Sequence, residues 1–293
     1  MIEYHADDFG LFPAQSRRIV ECCKHGVVNG ISVMPNSPYL DECMKLVEPL
    51  RERLEISVHL NLMEGKSCCL PEQIPLLADE KGIFKVSFLK LLFISFLPVH
   101  RQYQEQISKE IHAQIQAVLP YLKGKPLRLD SHSHYHMIPV VFDALMEVVK
   151  RDSLKVSYIR IPKESVSIYR MHRKNGVHIS SINMIKVLIL NILGDYQYWR
   201  HKADLKTMDK KLFAGVMCSG EMGLQTLKMI VPRICQLAQK SGCGVEVLAH
   251  PGGVYEAENI AQLTSKNDID FLTSPLRNKE VEAFLHIRAE RIE

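Results

Sequence analysis

Two adjacent carboxylates, Asp7 and Asp8, follow the strand-like run IEYHA and stand directly before Phe9-Gly10. Neighbouring side chains in a regular strand point to opposite faces, so one of the two acids would be driven into the interior unpaired. A strand that ends at Ala6 and bends through Phe9-Gly10 lets both converge on its C-terminal edge, where α/β proteins place ligands and chemistry. Taken alone, the pair is explained more simply as an exposed acidic turn or a helix cap. Its companions at other strand ends favour a site. In SVHLNL, period two sets Ser57, His59 and Asn61 on one face and Val58, Leu60 and Leu62 on the other. His59 is thereby a ligand candidate, although a lone histidine there is more often a hydrogen-bonded structural one. In LDSHSHYHMIP, alternation puts Asp130, His132, His134 and His136 on one side. A carboxylate and three imidazoles so close together suit a divalent metal or proton transfer better than packing, because a protonated cluster repels itself. VLAHPGG ends an apolar strand with His250, and Gly252 and Gly253 let the backbone bend close to a ligand, though a simple turn explains it nearly as well. Arg160, in SYIRIPKE, either holds a neighbouring carboxylate ionised and oriented or forms an ordinary surface ion pair.

These residues require elements to position them. Strand-like runs at Ile2–Ala6, GISVMP, LEISVHLNL, PLRLDSH, KVSYIRI and CGVEVLAH alternate with helical patterns near Pro13–His25, Tyr39–Leu50, Tyr103–Leu122, after Pro139, and Leu224–Lys240. Such alternation predicts an α/β fold with a parallel sheet built from βαβ units, closed as an irregular, distorted (β/α) barrel. No fixed-period repeat or linker-like shift divides the chain, so one domain over 1–293 is the simplest division. Two apolar stretches, Phe84–Val99 and Ile182–Leu193, interrupt the regular units as helical insertions near 84–99 and 163–208. They are expected to cover each other, a partner subunit or the non-sugar part of a lipid-linked glycan, with internal packing or dimerisation favoured over lipid.

Composition narrows the function. With 37 Lys+Arg against 33 Asp+Glu, and basic residues scattered apart from HRKNG around Arg173, the footprint of a nucleic-acid binder is missing. Eight cysteines without a CxxC fit neither a disulfide scaffold nor a zinc ribbon and predict reduced thiols in a cytoplasmic protein. The acidic start MIEYHADD is unlike a signal peptide, and no apolar run reaches spanning length, so no membrane partner is expected.

With those stretches in hand, the chain resembles the YdjC-like (ChbG/HpnK) carbohydrate deacetylases. ADDFGL, VHLNL, LDSHSHYHMIP against a D-S-H-x-H-x-H-x-x-P pattern, VLAHPGG and DFLTSPL occur in family order. The resemblance implies a distorted (β/α) barrel that holds a divalent metal and removes the acetyl group from N-acetylated amino sugars. It makes Asp8, His59 and His132 the metal ligands, Asp7 the catalytic carboxylate and His250 the general acid; with those roles filled, Arg160 would orient Asp7 and keep it ionised. Asp130 would hold a histidine in the correct tautomer, and His134 and His136 would contact sugar hydroxyls or support a ligand ring. Two departures are His5, where members often carry Asn, and the long apolar stretch from about Lys163 to Met208. Either Mg²⁺ or Zn²⁺ is expected: Mg²⁺ prefers oxygen-rich sites, while two imidazoles and a carboxylate suit Zn²⁺, Co²⁺ or Ni²⁺ at least as well. The alternatives are another metal-dependent hydrolase, such as a phosphoesterase, and a non-catalytic sugar-binding module. A homodimer is an open possibility.

Overall fold

The alternating strands and helices fold around a single seven-stranded parallel sheet. The computed structural model describes residues 2–169, 176–263 and 266–287; of the basic run HRKNG only Gly176 falls among the described residues. In chain order the elements are β1 (Ile2–Phe9), α1 (Pro13–His25), β2 (Gly30–Val33), α2 (Leu40–Val47), β3 (Glu55–Leu60), α3 (Phe88–Ile94), α4 (His100–Leu122), β4 (Leu127–Ser131), α5 (Pro139–Arg151) and β5 (Val156–Ile159). They continue with α6 (Ser181–Arg200), α7 (Lys202–Leu205), β6 (Lys211–Ala214), α8 (Leu224–Ser241), β7 (Gly244–Ala249), α9 (Ala257–Ile260), α10 (Lys266–Leu272) and α11 (Leu276–His286).

The strand order is β5-β4-β3-β2-β1-β7-β6. The sheet curls into a distorted half-barrel whose edge strands approach each other: Asp209 N, just before β6, donates to Ser157 O of β5 at 2.8 Å. The expected class is therefore observed. β6 is a strand that sequence reading missed, because KLFA is short and follows the long apolar insertion. The helices start and stop for local reasons. Pro13 and Pro139 occupy first-turn positions of α1 and α5, where a missing N–H costs nothing. Ser180 caps α6 by accepting from Asn183 N, and Gly242 ends α8 at φ 62°.

Period two splits the sheet into an apolar outer face and a charged inner face. Ile31, Val33, Val58, Leu60, Leu129, Val245 and Val247 point outward into the core under the helices. Inward, Glu3, His5, Asp7, Ser32, Arg128, Asp130, Arg160 and Glu246 are all buried. Charges survive there because each is paired: Arg128 donates to Glu3 at 2.6 Å, His5 Nδ1 meets Glu3 at 2.7 Å, and the Tyr158 hydroxyl donates to Glu246. Of the insertions, Phe84–Val99 holds only the short α3, and Ile182–Leu193 lies within α6. Each buries one face and leaves large apolar side chains exposed on the other, so internal packing covers them only in part.

Gly30 tests this interior. A Cβ there would lie 2.5 Å from His5 Nδ1 and 2.9 Å from Glu3 Oε1, two groups already bonded to each other. Gly30→Ala is expected to cost about 1–3 kcal/mol as an overpacking change. The urea midpoint should fall with an unchanged slope; an unmoved midpoint would show that the inner charges rearrange freely.

Candidate active site

Both adjacent acids reach the same edge through a local irregularity. The pairing of β1 with β2 shifts register between Ala6 and Phe9, and Asp8 adopts a left-handed φ of 63°. The strand runs on to Phe9, so the bend lies at the acids themselves rather than after Ala6. A non-glycine residue in that region costs about 1–2 kcal/mol. Bonds just after it hold it: Met34 N donates to Phe9 O at 2.8 Å, and Ser16 Oγ accepts from Gly10 N at 3.0 Å.

Asp8 Oδ1 lies 2.9 Å from His132 Nδ1 and 3.3 Å from His59 Nε2. One ligand atom from each of the three residues lies within 4.8 Å of the others. His59 is aimed from behind: its Nδ1 meets Asp130 Oδ1 at 2.7 Å, which turns Nε2 toward Asp8. Asp130 is in turn held by Ser32 Oγ at 2.5 Å and Arg160 Nη2 at 3.0 Å. A carboxylate behind an imidazole is the arrangement that orients metal-binding histidines.

Asp7 belongs to a different partner. Arg160 donates to its two oxygens from Nη1 and Nη2 at 2.8 and 2.9 Å, and from Nε to Glu246 at 2.7 Å. Arg160 is fully buried, so the surface ion pair that its sequence context allowed is not what forms.

The histidine run departs from strand alternation after His132. β4 ends at Ser131, and a 3-10 turn over His132–Met137 puts Ser133 and His134 at φ 49° and 57°. His136 therefore turns away to Ser131 Oγ at 2.6 Å and Arg160 O at 2.7 Å, supporting the end of β5. His134 packs edge-on to Phe213 at 5.9 Å, with its Nδ1 buried and without a hydrogen-bond partner. His250 leaves β7 toward the same rim and packs edge-on to Phe271 at 5.1 Å. Its backbone N donates to Glu280 at 2.8 Å and its O accepts from Arg277 at 3.2 Å. Arg277 and Glu280, on α11, are themselves paired at 2.9 Å, which gives DFLTSPL and the residues after it a role in holding His250.

The charges act on one another. Burial alone would raise the Asp8 carboxyl, but His132 and His59 outweigh it and hold it well below the usual carboxylate range. Asp7 is lowered likewise: Arg160, then His59, overcome its burial. Burial would lower His59, yet Asp7 and Asp130 push it up to about 10. Burial dominates at His250 and His134, both held below the ordinary histidine value despite nearby acids. Ser32, Glu246, Arg277 and Glu280 were not singled out from sequence. Of these only Glu246 carried a signal, a lone acid inside the apolar strand GVEVLA.

The chain is similar to known proteins in sequence and in fold. A carbohydrate deacetylase of Thermoanaerobacter pseudethanolicus is 33% identical over 162 residues, covering 55% of this chain and 61% of that protein. A carbohydrate deacetylase of Xenopus laevis is 26% identical over 266 residues, covering 84% of this chain and 79% of that protein. The crystal structure of an Enterococcus faecalis V583 protein, provisionally named a cellobiose-phosphate cleavage protein, superposes with a TM-score of 0.59 at 22% identity over 99% of this chain and 92% of that one, a likeness of fold. The family model described as YdjC-like protein matches residues 2–289, and the chain belongs to that family.

Proposed function

We propose that the chain is a metal-dependent hydrolase that removes the acetyl group from an N-acetylated amino sugar. The observation that carries this reading is the convergence of Asp8, His59 and His132 beside an Asp7 that Arg160 grips at both oxygens. The carbohydrate deacetylase relatives supply the substrate class. One carboxylate and two imidazoles, one of them backed by Asp130, form a donor set suited to a divalent ion. Bound to Asp8, His59 and His132, such an ion supplies Lewis acidity to the acetyl oxygen and a lowered water pKa.

The remaining residues divide the proton traffic. Asp7 accepts the proton of the attacking water, and Arg160 keeps its carboxylate ionised and aimed. The amide C–N bond then breaks, and His250 donates to the departing sugar nitrogen. Burial lowers its affinity for a proton, which makes its protonated form a readier donor. His134, with its unpartnered Nδ1, meets a sugar hydroxyl. A phosphoesterase is less well supported: the site's arginine is already committed to Asp7, Asp130 and Glu246.

His59→Ala and His132→Ala should each lose metal and acetate release together while remaining folded. Asp7→Asn should keep its metal and lose turnover by about 10²–10⁴-fold, since an amide cannot take a proton. Acetate released from N-acetylglucosamine oligosaccharides, with and without added metal, reads both. Metal loss in Asp7→Asn would mean the two aspartates have exchanged roles, and no release under any metal would end the deacetylase reading.

The same charges predict how metal-free protein responds to pH. The Asp7, Asp8 and Asp130 carboxyls are depressed on folding, so their stabilisation is present above the unfolded value of about 3.9 and is lost as pH falls. His59 is raised, so its contribution is full below about 6.5 and is lost as pH rises toward about 10. His250, His134 and His136 are lowered, so their contribution grows as pH rises to the unfolded value of about 6.5, and urea midpoints measured in chelator should peak near about pH 6.5. A midpoint that climbs steadily to pH 9 would show that His59 carries no proton in the metal-free fold.

A further inference from the structure

Nine of the twelve large apolar side chains that stand exposed among the described residues lie on or beside α3 and α6. On α6 they include Ile185, Leu188, Ile192 and Trp199, opposite a buried face of Val187, Leu190 and Leu193. On the α3 segment Phe93 and Phe96 face outward while Leu91 and Ile94 are buried. Both segments end at the first turns of α5. Ser95 Oγ, just after α3, accepts from Val140 N at 3.1 Å, and Arg200 and His201, at the end of α6, hold Asp143 at 2.7 and 2.9 Å. Val140 and Asp143 are three residues apart on one helix and therefore neighbours. The two segments thus end side by side on the helix that follows the turn carrying His132.

Charge decides what covers them. Residues 85–101 and 181–202 hold six cationic side chains and one acid, Asp195, although the whole chain carries only +4. Asp195 is paired with Lys163, and Arg200 with Asp143. Lys85, Lys90, Arg101, Lys186 and Lys202 remain exposed around the apolar face. A second copy of the chain, placed across a two-fold axis, would set like charges against each other. An apolar face rimmed by lysine and arginine, with aromatic rings near its ends, matches instead the headgroup boundary of an anionic bilayer. We propose that α3 and α6 form a docking face that lays the protein on the surface of an anionic membrane. No helix among the described residues is long and apolar enough to cross one, so the contact is with the interface. The expectation of no membrane partner rested on the lack of a spanning run and did not address a surface contact.

Trp199 reports on this directly, because it is the single tryptophan of the sequence and is 74% exposed. Full-length protein should sediment with phosphatidylcholine vesicles containing phosphatidylglycerol, and its tryptophan emission should shift to the blue. Pure phosphatidylcholine vesicles should bind at least tenfold more weakly. Leu188→Glu and Ile192→Glu, both on the exposed face, should each weaken sedimentation at least tenfold while leaving acetate release from a soluble oligosaccharide unchanged. Failure to sediment with either vesicle overturns the proposal. So does an emission already blue in lipid-free protein that elutes at twice the monomer mass, which would assign the face to a second copy.

Discussion

Everything at the open edge of the sheet depends on one buried guanidinium. Arg160, at the end of β5, meets Asp7 of β1, Asp130 of β4 and Glu246 of β7, so a single side chain ties three further strands to the edge of the sheet. A fully buried cation is tolerable only when paired, and these acids would be intolerable without it. The ion cluster and the curl of the sheet are one constraint: flattening the sheet would draw the carboxylates away and leave the charge unpaired. Burial would weaken the guanidinium's hold on its proton, but Asp130, Asp7 and Glu246 hold it well above its usual value.

The cluster is also short of positive charge. Asp7, Asp8, Asp130 and Glu246 face one arginine, and the rise that Asp7 and Asp130 impose on the His59 pKa against its burial is a response to that deficit. A divalent ion between Asp8, His59 and His132 would meet the same deficit more fully and would displace any proton held there. The strain at Asp8 makes sense in this light. Its left-handed backbone separates the roles of two consecutive acids, turning one to the histidines and leaving the other to Arg160.

The sequence made legible what lies at strand ends. Asp7, Asp8, His59, His132, Arg160 and His250 sit where a parallel α/β sheet gathers side chains from remote segments, and the structure brings them to one rim. Extrapolating alternation beyond His132 failed, because two consecutive positive φ angles send His134 and His136 to different surroundings. Ser32 was invisible for another reason. Nothing local marks a serine in GISV, and its position between His5 and Asp130 exists only once four strands, β1 to β4, are assembled. Arg277 and Glu280 were hidden likewise, since they act on the backbone of His250 from a helix 26 residues downstream of it.

His5 shows how far the site extends beneath its rim. Where family members often carry Asn, this chain places an imidazole bonded to Glu3 through Nδ1 and to Ser32 through Nε2, each at 2.7 Å. Ser32 bonds Asp130, and Asp130 bonds His59. Hydrogen bonds therefore run without a break from the floor of the half-barrel, where Arg128 and Lys211 hold Glu3, to a nitrogen beside Asp8. In such a chain the donor and acceptor sense of each bond constrains the next. If Ser32 donates to Asp130, its oxygen must accept from His5 Nε2, which leaves Nδ1 to accept or, in the charged ring, to donate to Glu3. Glu3 is an acceptor, held well below the usual carboxylate range by His5, Arg128 and Lys211 against its burial. The hydrogen-bonded interior thus sets the orientation of His59 from a distance no contact at the rim would reveal.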